Sequence, residues 1–151
     1  IYAITAYLAN KDVVIAGNCV VNSSRPLTFH GNKTPDVPNN IAIRNNILIA
    51  TEEGQSAING WGADTNGVEI SGNVAMGAKM GILLNQRDSN VTVKGNDTNG
   101  IALRGDARAD WNISGNSENL SRAQVSHGVF NEDGCEVKGS MATVKTSRLP
   151  R

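Results

Sequence analysis

The chain has 151 residues, a length that suits one domain. Lys plus Arg and Asp plus Glu balance at 14 each, which argues against general attraction to nucleic acid or anionic membranes. Aromatics are scarce at 4%, Gly is frequent at 16 residues and Asn makes up roughly one residue in eight, so the composition suits many tight turns rather than a helical bundle or an acidic disordered tail.

The chain opens in a strand-like segment, Ile1 to Leu8, with no secretory signal before it, as a piece of something longer or an already processed chain would. No apolar stretch approaches the ~18 residues needed to insert in a bilayer. From residue 13 a six-residue pattern recurs: apolar, any, Ile or Val, any, Gly or Asn, Asn. Its copies are Val13–Asn18, Ile41–Asn46, Val68–Asn73, Val91–Asn96 and Trp111–Asn116, with a weaker sixth at Cys135–Ser140. Successive copies start 20 to 28 residues apart.

Period-two alternation marks a strand with one face buried. The pattern predicts that Val13, Ile41, Val68, Val91, Trp111 and Cys135 stack in one inward column. Ile15, Ile43, Ile70, Val93, Ile113 and Val137 form the next. The closing Asn predicts a ladder of side-chain amides along the stack, because a buried amide without such partners is costly.

A second set of strands lies between the copies. Gly81–Leu84, Gly100–Leu103 and Gly128–Phe130 begin with Gly and an apolar residue, and Leu27–Phe29 and Ala57–Asn59 fit more loosely. Ile47–Ile49 and Val74–Met76, just after the Asn, start a third set. Such strands in each coil predict an all-β parallel β-helix, a solenoid of about six coils over residues 1–140. A leucine-rich repeat would need a run of Leu positions, and a hexapeptide left-handed helix a strict six-residue repeat; both are missing. Residues 141–151 are basic, lack the coil pattern and read as a tail or linker.

Two stretches, Gly67–Asn73 (GVEISGN) and Asn90–Arg104 (NVTVKGNDTNGIALR), resemble the right-handed, pectin-lyase-like β-helix superfamily of pectate lyases, alginate epimerases and phage tailspikes. The resemblance covers residues 10–140. It implies the fold, and members that cleave, epimerise or bind long polysaccharides, or only support structure. Tailspikes are homotrimers, so the resemblance also implies a trimer. An outward apolar stripe of Leu83, Ala102 and Phe130 on the second sheet would suit that interface.

Three groups of residues are candidates for chemistry. Glu69 falls one rung from both Arg44 and Lys94 on the outer face of the first sheet. That trio could hold an acidic sugar or support β-elimination from a uronate; the plainer and favoured reading is a surface charge pattern. Asp64, Asp88 and Asp106 each follow a second-sheet strand and could stack as a column of carboxylates. Such a column suits a glycosidase, or Ca²⁺ as a cofactor; the favoured reading is that each Asp opens a turn. Trp61, Arg87 and Arg104 sit nearby as a sugar-stacking platform and carboxylate binders, or Trp61 packs on the coil end.

Other signals carry less. His30 and His127 lack metal-ligand spacing, and no nucleophile elbow, P-loop or dinucleotide fingerprint occurs. Arg104-Gly105-Asp106 reads as a turn rather than an adhesion motif. Cys19 and Cys135, five rungs apart on one stack, would be about 24 Å from each other, beyond the ~7 Å a disulfide spans, so two free thiols are expected. Solenoid ends need caps, and no amphipathic capping helix is visible; Glu118–Gln124 suits one helical turn within a coil.

The functional expectation is a polysaccharide-binding, and in the whole protein polysaccharide-degrading, segment of a tailspike-like protein outside the cell or on a virion surface. The alternatives are a secreted polysaccharide lyase or C5-epimerase, and a non-catalytic structural or adhesion stalk. If the chain is an enzyme, it is a polysaccharide lyase or a glycoside hydrolase.

Overall fold

A computed structural model describes residues 2–6, 11–30, 39–61, 65–85, 87–105, 109–125, 129–131, 134–138 and 143–146. Strand β1 (Tyr2–Ala6) opens the stack. Four three-stranded coils follow. They are β2 (Val13–Ala16), β3 (Cys19–Ser23) and β4 (Arg25–Phe29); then β5 (Ile41–Arg44), β6 (Ile47–Ala50) and β7 (Ser56–Gly60). Next come β8 (Asn66–Ser71), β9 (Val74–Met76) and β10 (Met80–Asn85); then β11 (Ser89–Lys94), β12 (Asp97–Thr98) and β13 (Ile101–Arg104). β14 (Asn112–Ser114) begins a fifth coil.

The strands stack into three parallel sheets. The first runs β2-β5-β8-β11-β14, the second β1-β4-β7-β10-β13 and the third β3-β6-β9-β12. This is the expected parallel β-solenoid, with about four coils in place of six. The register follows the repeat: Val13 pairs with Ile41, Ile41 with Val68 and Val68 with Val91. Ile15, Ile43, Ile70 and Val93 form the next column and lie in the main core with Leu27, Phe29, Ile58, Ile82 and Leu84 of the second sheet. Trp111 packs against that core, as expected.

The asparagine ladder is continuous through five rungs. Asn18 Nδ2 donates to Asn46 Oδ1, Asn46 to Asn73 and Asn73 to Asn96, each at 2.9 Å, and Asn96 to Asn116 at 2.8 Å. Each acceptor oxygen also takes the backbone N–H of the preceding Asn. The amides of Asn46, Asn73, Asn96 and Asn116 also donate to the carbonyls of Ile15, Ile43, Ile70 and Val93. Buried polar groups are thereby satisfied at the corner between the first and third sheets. The residue before each ladder Asn has positive φ: Gly17, Asn45, Gly72, Gly95 and Gly115. That backbone explains the Gly-or-Asn choice in the repeat. Gly81 has a different reason: a Cβ there would meet the Ala75 carbonyl and Thr98 Oγ1, where the second and third sheets meet.

In β6, β9 and β12 the third sheet is buried on both faces. Val20, Leu48 and Ala75 point into the main core. Ile47, Ile49, Val74 and Met76 form a separate cluster with Leu120, flanked by Cys19, Val21 and Val125. A sheet covered on both sides reads as a continuous apolar run, here Ile47-Leu48-Ile49-Ala50.

The sixth copy does not join the stack. β16 (Gly134–Lys138) lies between β15 (Val129–Asn131) and β17 (Thr143–Thr146) in an antiparallel sheet. The copy has Ser140 where the others carry the ladder Asn, and a hydroxyl is too short to continue an amide ladder. Phe130 therefore leaves the expected second-sheet stripe, whose outer column reads Thr28, Asn59, Leu83, Ala102. Leu83 in that column is itself buried. Thr143–Thr146, read from the sequence as tail, is a strand.

After Ser117 the chain turns back. Leu120 N–H donates to Thr98 O of the fourth coil. The helical turn α1 (Arg122–Val125) then reaches the second coil, where Arg122 donates to Ala50 O at 2.8 Å and Thr51 O at 3.2 Å. α1 lies against β16. Cys19 in the first coil is disulfide-bonded, and no described cysteine is free. The expected free thiols are thus overturned. The distance estimate put Cys135 on a sixth rung, whereas its strand lies in the antiparallel sheet and does not continue the stack.

Candidate functional site

The outer face of the first sheet brings Arg44, Glu69 and Lys94 together as the register requires. Arg44 Nη2 donates to Glu69 Oε2 at 2.7 Å, and Lys94 Nζ lies 3.8 Å from Oε1. Ser71 Oγ donates to Oε1 at 2.9 Å. The hydrogen bond from Ser71 holds the Glu69 carboxyl below its ordinary pKa, aided by the charges of Arg44 and Lys94 and opposed by slight desolvation. The three side chains line a shallow depression of about 320 Å³ with Asn40, Asn90 and Thr92. A carboxylate stabilised as the anion is a poor proton donor at neutral pH, and one bonded to its cations is a weak base. The arrangement compensates the Glu69 carboxylate, leaves one net positive charge and can bind polar or anionic groups.

Asp88 is buried, and its carboxylate is committed to backbone. Oδ1 accepts from Thr65 N at 3.1 Å and Oδ2 from Asn85 N at 3.3 Å, while its carbonyl accepts from Trp111 Nε1 at 2.8 Å. One residue thereby ties the turns of neighbouring coils together, which is the work of a turn residue and not of a carboxylate presented to substrate. Asp64 and Asp106 lie outside the described residues. Among the described residues, no three His, Cys, Asp or Glu side chains gather to hold a metal ion. No described helix is long and apolar enough to cross a membrane.

The outer face of the second sheet places Trp61 and Arg104 together. Trp61 directly follows β7, and its side chain is large and apolar yet 46% exposed. Arg104 ends β13, and its guanidinium carbon lies 4.5 Å from the Trp61 ring centroid. That is a cation–π contact across the strands, worth ~0.5–1 kcal/mol at an exposed site. Trp61 also lines a cleft of about 520 Å³, with Ser24, Arg25, Glu53 and Asn59 among its walls. The Asn59 side-chain oxygen is buried without a hydrogen-bond partner, as is Thr28 Oγ1 in the same outward column. Arg87 is exposed beside Asp88, and its N–H donates to Asn85 Oδ1 at 3.3 Å.

The cleft residues Arg25, Glu53 and Asn59 were not singled out from the sequence. Asn59 carried a signal: it occupies the outward position that Leu83 and Ala102 fill in later coils. Arg25 and Glu53 sit at or near turns, where no periodicity marks them. Comparison of the chain with protein-family models, with curated proteins and with solved structures finds no match in any of the three.

Proposed function

We propose that this chain binds polysaccharide on the outer face of its second sheet, as a solenoid segment of a tailspike-like protein outside the cell or on a virion surface. The observation that carries the reading is the Trp61–Arg104 pair beside the 520 Å³ cleft. An exposed indole offers an apolar face for a sugar ring, and the stacked guanidinium is held ready to donate hydrogen bonds. Asn59 also lines that cleft. The disulfide at Cys19 supports an oxidising compartment, because such bonds persist outside the reducing cytosol. Binding is favoured over cleavage: Glu69 is compensated by its neighbours and Asp88 is occupied by backbone N–H groups.

The test is affinity electrophoresis of the full chain through gels carrying capsular, O-antigen or uronate polysaccharides. The same mixtures are assayed for new reducing ends and for unsaturated uronate. The expected result is retardation by at least one glycan, weakened about tenfold or more in Trp61→Ala, with no turnover; loss of a buried aromatic anchor has that size. Unsaturation that disappears in Glu69→Gln would favour the lyase reading instead. No retardation and no turnover on any glycan would leave the structural stalk.

A further inference from the structure

The depression on the outer face of the first sheet has two unlike rims. One rim is cationic. Arg44 and Lys94 lie two rungs apart with the small Ser71 between them, a span of about 10 Å. Arg44 gives Nη2 to Glu69 and keeps its other guanidinium donors. Lys94 Nζ stands 3.8 Å from Glu69, beyond hydrogen-bond length, on a side chain that is 57% exposed. Its three donors are therefore available to a ligand.

The other rim is built of amides. The residues that open the first-sheet strands of three successive coils are Asn40, Gly67 and Asn90, all with positive φ. Asn40 Nδ2 donates to Asp12 Oδ1 and Asn90 Nδ2 to Asn66 Oδ1, each at 2.7 Å. With each amide nitrogen engaged, the oxygen is the end left to accept from a ligand. Gly67 opens the gap between the two: a Cβ there would come within 3.0 Å of Asn40 Oδ1. Ala42, another small residue, lines the same space, and Thr92 adds a hydroxyl. The depression exists because its middle and floor positions are small while the rungs on either side carry long polar side chains.

We propose that this depression binds one acidic sugar residue, its carboxylate on Lys94 and Arg44 and its hydroxyls on the oxygens of Asn40 and Asn90. Donors on one rim and acceptors on the other match a ring that carries an anion at one end and hydroxyls at the other. Glu69 holds Arg44 in place and leaves the site one net positive charge. The site lies on a different sheet from the Trp61 cleft, and the inference stands whether or not that cleft binds glycan.

The test titrates the isotope-labelled full chain with trigalacturonate, with its neutral counterpart galactotriose and with sodium sulfate at matched ionic strength, following backbone amide shifts. The uronide is expected to move the Gly67, Asn90 and Thr92 amides in a saturable way. The neutral sugar should bind there about tenfold more weakly, for want of the two cation contacts. Lys94→Gln should weaken the uronide about fivefold, the size of one exposed ion pair. Ala42→Val, which fills the floor without changing a charge, should weaken it severalfold. Urea midpoints close to that of the unaltered chain would show that both variants remain folded. The proposal is overturned if the uronide leaves those amides unmoved or moves only those around Trp61. Equal binding of the neutral sugar would remove the carboxylate from the recognition, and equal binding of sulfate would leave a general anion site with no sugar recognition; either result overturns it.

Discussion

The outer faces of the first and third sheets belong to the same coils and meet at the same asparagine corner, yet they end in opposite environments. On the first sheet the outward side chains include Val14, Arg44, Glu69 and Lys94; Val14 is 66% exposed and the charged groups sit at the surface. On the third sheet the outward side chains Ile47, Ile49, Val74 and Met76 are all buried. Backbone geometry is not the difference, since both sheets are parallel and in register. The difference lies in which residue types fill the outward positions. A polar outward column needs only water, whereas an apolar one needs a cover, and here the chain supplies it by reversing.

The comparison can be broken first at the shared corner. Asn73→Leu removes an acceptor from the Asn46 side chain and backbone and a donor from Ile43 O and Asn96. With roughly 1–3 kcal/mol for each buried group left unpaired, the expected loss is about 4–5 kcal/mol in urea unfolding. A loss under 1 kcal/mol would mean that the ladder contributes little and that side-chain packing alone sets the register.

On the covered face, Ile49→Ala is expected to cost about 2–4 kcal/mol, the range for truncating a buried aliphatic side chain. On the open face, Glu69→Gln should cost at most about 1 kcal/mol, as an exposed ion pair does. Because folding lowers the Glu69 pKa, its small contribution is present above the ordinary value of 4.5 and is lost as pH falls through the folded value. An acid titration of stability in Glu69→Gln should be correspondingly flatter than in the unaltered chain. Val14→Ser, at a solvent-facing position, should change stability by about 0.5 kcal/mol or less.

Much of this was legible in the sequence because the information is local and repeated. The alternation in Val68-Glu69-Ile70 and its four sister copies set inward and outward positions, and the closing Asn announced the amide ladder. The register then followed, and with it the meeting of Arg44, Glu69 and Lys94. Asp88 was harder: one carboxylate on a turn looks alike whether it faces a substrate or its own backbone, and only the positions of Thr65 and Asn85 decide between them. The cleft at Trp61 was half legible. The exposed indole was marked, but Arg25 and Glu53 reach it from turns of other segments.

The sequence by itself determined the coil, its three strands, the inward columns and the ladder, because each rung repeats one local pattern that can be satisfied only by stacking on its neighbour. The tertiary structure alone decided where the stack stops, that Cys19 is disulfide-bonded and what hides the third sheet. Those outcomes depend on the single, unrepeated reversal after Ser117, a long-range contact for which no second copy of the pattern exists to read. The apolar runs at residues 47–50 and 74–76 marked the third set of strands, and the folded chain showed that Leu120 and Val125 cover them.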